Sequence, residues 1–475
     1  MKTLPATEVG TSPGGGSRWP RLAAVAVLLI ALLAILIRHG DRESLSSRPM
    51  HGTAASNPIG NATPSPFFMQ GGHKRPAKTP ASPEEIVARK LGQFARSRRE
   101  IARAMARHAN VTVSDDVERF FDAVESNRWD DADALFKLLR SHSGRDGGTP
   151  SPDVAALWAP ILETFGVAEQ AHAWPAQELL DYGNAVLGSL PPGMAYVGGT
   201  DPGRFIPTLI NETSDGEHRI VITQNGLADA GYLGYLNFLY GDQATTLTAD
   251  DSQKAFQDYL TDAQKRLAHD QQFPDEPKQL LPGENVTTVD GKVQVSGQVA
   301  VMAINERLLQ AFMQNNPDLP MALEESFPLK STYGSASLIG PITQLRAGDG
   351  NQALTPDVAD QSLDYWRNTA QTLISDPNTP DGSDPRKAYA KMADAQANLL
   401  ADHNYDTQAE QAYRLALQIY PGNPESTYGL AGLLDRTGRG QEAAQLLSSF
   451  QQNYPQQAGN SAAWTATISS SKQQK

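Results

Sequence analysis

The sequence predicts an α/β domain with a mixed or parallel sheet, flanked by helical segments. One N-terminal transmembrane helix precedes it and a helical repeat tail follows. Three observations carry this expectation: a run without a polar side chain at 22–37, strand-like segments alternating with helices over 194–347, and a self-similarity of 34 residues near the C-terminus.

Residues 22–37 contain only Leu, Ile, Val and Ala, with Arg21 before them and Arg38 after. At ~1.5 Å per residue the run makes a helix about 24 Å long, somewhat short of a ~30 Å hydrocarbon core. Snorkelling arginines and an interfacial Trp19 cover the deficit. A cleaved signal peptide is the alternative, but its apolar region is usually ~7–15 residues, and no small-x-small site follows Ile37. Lys2, Arg18 and Arg21 on one side balance Arg38, Arg42 and Arg48 on the other, so flanking charge does not decide the orientation. A short tail before a large body favours tail-in, body-out. The expected setting is a bacterial inner membrane, with a single span and a periplasmic body.

Length and charge narrow the rest. The 475 residues allow two or three domains. Residues 1–110 carry 16 Lys/Arg against 6 Asp/Glu, and the remainder 24 against 47. So acidic a body argues against nucleic acid as a partner, because phosphate binding needs a basic face. The absence of cysteine removes disulfides, thiolate metal sites and cysteine nucleophiles together.

The organisation follows from composition and spacing. Residues 1–21 read as a tail, 22–37 as the anchor and 38–81 as a Ser/Pro/Gly-rich disordered linker. A helical region covers 82–185, the α/β domain 186–350, a helix and linker 351–385, two repeats 386–456, and a capping segment 457–475.

Ser82, Pro83 and Glu85 form a helix start with a capping box. Val87, Leu91, Phe94, Ile101 and Met105 share one face of that helix. Arg89, Lys90, Arg96, Arg99, Arg103 and Arg107 share the other, to lie on anionic lipid or, the favoured reading, to pack against a neighbour. Residues 114–140 read as a helical hairpin turning at Asn127 and Arg128. Asp131 and Asp133 resemble a sugar-nucleotide metal pair, but their place in a first helical turn makes a cap the better reading.

Over 194–347 the segments 194–197, 219–223, 321–324 and 342–345 read as strands, separated by helices, in a Rossmann-like arrangement. A hairpin at 286–295 turns at Asp290 and Gly291, a pair suited to a type I′ turn. In the tail, a shift of 34 residues superposes Ala397 on Ala431, Leu400 on Leu434, Ala409 on Ala443, Tyr413 on Leu447 and Pro421 on Pro455. This pattern resembles tetratricopeptide repeats. It places helices near 390–403, 406–419, 424–436 and 440–452, with Ala409 and Ala443 in tight contacts. Two units cannot bury their faces alone, so they need the helix at 355–374 and the Trp464 segment.

The candidate site lies in the turn Gly198, Gly199, Thr200, Asp201, Pro202, Gly203, Arg204. Glycines there permit close approach of the backbone, and amides at a helix start favour an anion. It is neither a Walker A loop nor a G-x-G-x-x-G fingerprint. The structural alternative makes Asp201 a helix cap and Arg204 a salt-bridge partner. A second turn carries Asn225 and Asp229, and Glu324 and Glu325 follow a later strand. Adjacent parallel strands would bring all of these to one sheet edge. A small anionic or polyhydroxylated ligand is the expected occupant; no catalytic residue, metal ligand or cofactor is assigned. The segment from Asp376 to Asp384 approximates a calcium loop, but Gly382 comes one place late and Pro380 stands where a ligand should, so it reads as a connecting loop.

The pieces 190–205 with GGTDPGRF, 222–229 (ITQNGLAD), 303–305 (AIN) and 324–326 (EES) resemble an uncharacterised bacterial family of membrane-anchored proteins with tetratricopeptide tails. The strand–acidic turn–helix pair also resembles the soluble tail of multi-spanning O-mannosyltransferase-like proteins, whose membrane domain this chain lacks. The resemblance implies an architecture and no activity. The sequence therefore favours an anchored interaction protein whose repeats take a protein partner. The alternative is an envelope enzyme acting on a carbohydrate or phosphate-bearing substrate at 198–205.

Overall fold

The computed structural model describes residues 80–145, 149–281, 283–289, 292–345 and 354–458. The anchor run, the tail before it, nearly all of the linker and the Trp464 segment lie outside these residues. Among the described residues no helix is long and apolar enough to cross a membrane.

The described chain is mostly helical, with 16 α-helices and a small mixed sheet. Strands of three to five residues leave most of the mass to helices, so the expected α/β domain is more helical than its alternation implied.

Helix α1 (Pro83–Ala109) starts at the predicted capping box. Glu85 N–H donates to Ser82 Oγ at 3.2 Å and Ser82 N–H to Glu85 Oε2 at 3.1 Å. Helices α2 (Asp115–Glu125) and α3 (Trp129–Ser141) form the hairpin, with Asn127 at φ 54° in the left-handed region that closes the turn. Much of the basic face of α1 is engaged by protein. Arg96 and Arg99 reach Glu125 at 2.9 and 3.0 Å, Arg103 reaches Glu118 at 2.8 Å, and Lys90 donates to the Thr213 carbonyl at 3.0 Å. Asp133 pairs with Lys137 at 2.6 Å, and Asp131 with Arg128.

Helices α4 (Pro152–Ala173) and α5 (Ala176–Gly188) had no individual expectation from the sequence. They pack with α1 and with α6 (Asp201–Glu212) over a core in which Phe136 stacks on Phe165 at 3.7 Å between ring centres. The sheet runs β2 (Val221–Thr223), β1 (Ala195–Gly198), β5 (Met321–Leu323), β7 (Ile342–Leu345), β6 (Ala336–Ile339). The first three are parallel; β7 runs antiparallel to both of its neighbours, β5 and β6. All four residues of β1 are buried, as expected of a central strand covered on both faces. Strand β6 was missed. Its pattern of Ala, Ser, Leu and Ile is too short to signal, and Gly340, at φ 51°, joins it to β7.

Helices α7 (Ala230–Tyr240), α8 (Ala249–Gln272) and α9 (Gln298–Asn315) complete the body, with β3 (Asn285–Val289) and β4 (Lys292–Ser296) as the predicted hairpin. Val289 pairs with Lys292, and the expected turn residues Asp290 and Gly291 lie outside the described residues. A short helix, α10 (Lys330–Tyr333), precedes β6. The tail comprises α11 (Pro356–Ser375), α12 (Asp384–Asp402), α13 (Asp406–Ile419), α14 (Pro424–Arg436) and α15 (Gly440–Asn453). Helix α12 packs mainly on α13 and α14 on α15, while α11 lies chiefly against α13, and Ala409 and Ala443 are buried. Helix α12 begins earlier than the repeat pattern indicates, because Pro385 supports a first turn there.

Candidate functional site

The turn between β1 and α6 is built around one buried carboxylate. Glu324, 1% exposed, lies just past β5, the strand next to β1. Its Oε2 accepts the N–H groups of Gly199 and Thr200 at 2.9 and 2.8 Å. Its Oε1 accepts the Thr200 hydroxyl at 2.6 Å and the Tyr182 hydroxyl at 3.3 Å. Amides at a helix start are suited to an anion, and here the chain supplies its own. Burial pushes the Glu324 carboxyl above its ordinary range, opposed by its bonds with Thr200 and Gly199.

Two of the glycines follow from this carboxylate. A Cβ on Gly203 would lie 1.8 Å from Glu324 Oε2, and one on Gly199 would lie 2.3 Å from the Glu324 carbonyl oxygen. Gly199 and Gly203 therefore admit Glu324. At Gly198 a Cβ would lie 2.7 Å from the Gly203 carbonyl oxygen, a backbone approach independent of the carboxylate.

Other expectations for this turn need correction. Thr200, not Asp201, caps α6, accepting Gly203 N–H at 3.1 Å, because a hydroxyl can serve the helix and Glu324 together. Asp201 is the first helical residue and is exposed. Arg204 forms no ion pair with Asp229. Its guanidinium lies over the rings of Phe205 and Tyr232, at 4.6 and 5.5 Å, and stays half-exposed. Asp229 caps α7 through Gly231 and Tyr232 N–H at 2.8 and 3.2 Å, and pairs with Arg145.

Asn225 does reach the turn, donating to the Gly199 carbonyl at 2.8 Å. Two residues quoted within ITQNGLAD and AIN but not placed among the candidate site residues stand beside it. Gln224, fully buried, donates to Ser326 Oγ at 2.7 Å, and Asn305 approaches Asn225 at 3.5 Å. Their signal was a polar residue directly following a short apolar strand or standing alone in an apolar helix. Gln224, Asn225, Glu324 and Ser326 thus close the carboxyl edge of the parallel strands with their own hydrogen bonds.

Glu325 faces away from this cluster. It is 3% exposed and accepts Leu329 N–H at 3.4 Å and the Tyr333 hydroxyl at 3.2 Å. Burial, with Asp394 and Glu306 adding to it, pushes its carboxyl up to about 8. Asp201, Asp229 and the glutamates do not converge as one carboxylate set. Among the described residues no group of three or more His, Asp or Glu side chains could hold a metal ion.

Only the Gln224 side-chain oxygen is buried in this cluster without a hydrogen-bond partner among the described residues. The fold and this turn define a helical protein with a small mixed sheet and a C-terminal repeat. The tetratricopeptide repeat family model matches residues 399–466, a segment that contains Ala409 and Ala443. No curated protein and no solved structure matches the chain. The chain therefore carries a tetratricopeptide repeat, a module of protein–protein interaction.

Proposed function

We propose that this chain is a membrane-anchored scaffold whose repeats present a binding surface to another envelope protein, with the helical body as a rigid base. The repeat at 399–466 carries this reading. The apolar run at 22–37 supports anchoring. Crosslinking in intact cells tests the partner: the adduct formed by wild type should vanish in Ala409→Arg. Alkaline washing should leave the full-length chain in the membrane, and protease added to spheroplasts should digest its body. Release by the wash removes the anchor from the proposal; protection from protease reverses the orientation.

A second reading, binding of a small anionic or polyhydroxylated ligand at the 198–205 turn, is favoured by one observation. Arg204 keeps a half-exposed guanidinium framed by two aromatic rings. With Glu324 seated on the amides, such a ligand would meet Arg204 rather than the helix start. Calorimetry with inorganic phosphate and with simple sugars tests it against Arg204→Ala.

A further inference from the structure

The hairpin α2–α3 of the body turns in the same way as two hairpins of the tail. Its turn centres on Asn127, at φ 54°. In the tail Asn404, at φ 62°, turns α12 into α13, and Gly438, at φ 83°, turns α14 into α15. Each first helix ends two residues before the left-handed residue, and each second helix starts two residues after it. The next amide bonds the same relative carbonyl each time: Arg128 to Ala123 at 2.9 Å, Tyr405 to Leu400 at 3.0 Å, Arg439 to Leu434 at 2.7 Å. Five residues past the left-handed position stands a buried alanine: Ala132, Ala409 or Ala443. Hairpin α2–α3 thus repeats the register of the tail hairpins, although it lies outside the matched segment 399–466.

The shared register lets the faces be compared residue by residue. A repeat hairpin cannot bury its face alone, and in the tail each face meets the helix before it. Gln408 donates to Asp360 at 3.2 Å and Gln411 accepts from Arg367 at 2.6 Å, both on α11. Arg439 and Glu442 pair with Glu410 and Arg414 of α13 at 2.6 and 2.7 Å. Arg128 and Asp131 hold the places of Arg439 and Glu442 in the body hairpin. They bond each other, and Arg128 also bonds Asp122 at 2.7 Å. The preceding helix, α1, is engaged instead along α2, at Glu118 and Glu125. Among the described residues it leaves a groove of about 530 Å³ uncovered, lined by Leu135 and Leu138 with Arg119, Asp122, Arg128 and Asp131 around them. Leu415, which holds the place of Leu138 in the first tail hairpin, is buried, whereas Leu138 is 40% exposed.

We propose that this groove is a docking site for one amphipathic helix of a partner protein, laid on α3 as α11 lies on α13. The tail itself shows the chemistry that such a helix needs. Glu410 and Arg414, four residues apart, meet an arginine and an acid placed as Arg128 and Asp131 are. The partner helix therefore carries an acidic residue for Arg128 and a basic residue one turn on for Asp131. An apolar side chain on the same face covers Leu138. Docking trades the ion pairs inside the hairpin for pairs across the interface and removes the exposed leucine from water. This surface belongs to the body and is separate from the one proposed at 399–466.

Fluorescence anisotropy with the full-length chain in detergent, read against detergent alone, tests the site. The probe is a labelled synthetic helix with Glu and Arg four residues apart and leucines on the same face. It should bind saturably. Exchanging the groove charges, Arg128→Glu with Asp131→Arg, should weaken binding about tenfold or more, because each charge then meets its like. A second probe with its own Glu and Arg exchanged should recover that loss, which a merely unfolded hairpin could not do. Leu138→Asp should weaken both probes while the melting temperature stays near that of wild type, since Leu138 is exposed. A probe that fails to bind wild type, or binds it and the exchanged variant equally, overturns the proposal. So does self-association of wild type that the charge exchange abolishes, because a second copy of this chain then fills the groove.

Discussion

Gln396 accepts the indole N–H of Trp366 at 2.9 Å, and both side chains are completely buried. The same oxygen accepts the Ser362 hydroxyl at 2.6 Å, while the amide nitrogen donates to Gly340 and Ile342. One glutamine thus satisfies polar groups of α11 and of the β6–β7 hairpin from its place on α12. It stands where the repeats join the sheet.

Replacing Gln396 by Leu keeps the volume and removes all four bonds. A buried donor or acceptor left unpaired costs about 1–3 kcal/mol, so a loss of about 3 kcal/mol or more is expected. Urea denaturation followed by tryptophan fluorescence would measure it. A loss below about 1 kcal/mol would mean that water replaces the glutamine.

The turn at 198–205 separates two arginine and glutamate variants. Glu324→Gln places an amide donor where Gly199, Thr200 and Tyr182 all donate, and about 2–3 kcal/mol of stability should be lost. Arg204→Ala removes a half-exposed guanidinium and should cost about 1 kcal/mol or less. Thermal melting of both variants in one buffer checks the order. Arg204→Ala as the more damaging change would show that its ring contacts carry the turn.

These residues also mark what the sequence made legible. The Ser82 capping box, the hairpin at 286–295 and the 34-residue period are local patterns, and the helices and strands follow them closely. Glu324 was legible only as a residue at a strand end. Its partners lie 124 and 125 residues earlier, and no spacing rule links them. Arg98 escaped altogether, since a charged residue among many on a basic helix gives no sign that its own side chain is buried. Strand β6 was lost between two short apolar segments. Local signals set elements; contacts across the chain decided which polar groups went inside.

The repeat contacts give a graded expectation. Ala409 is completely buried, whereas Ala443 on the last long helix is 6% exposed. An arginine at either place forces a charge into a helix contact, so Ala409→Arg should lower the melting temperature more than Ala443→Arg. Differential scanning fluorimetry suffices. Two neutral variants would contradict the helix pairing.

Arg98 offers the largest expected effect. Its guanidinium, 1% exposed, bonds Glu163 at 2.6 Å and Glu212 at 3.0 Å, and lies 4.6 Å over the Phe94 ring. Glu163 also accepts the Tyr235 hydroxyl at 2.6 Å, so α1, α4, α6 and α7 meet at one charge network. Removing one partner of a buried pair leaves the other charge unpaired. Arg98→Met should therefore cost about 3–5 kcal/mol. Removing the stranded charge as well should recover part of that loss, because the Glu163→Gln carbonyl can still accept from Tyr235. The double variant Arg98→Met/Glu163→Gln should thus be more stable than Arg98→Met alone. Denaturant titration of wild type, both single variants and the double variant measures the coupling. Additive losses would show that Arg98 acts through packing on Phe94 rather than through Glu163.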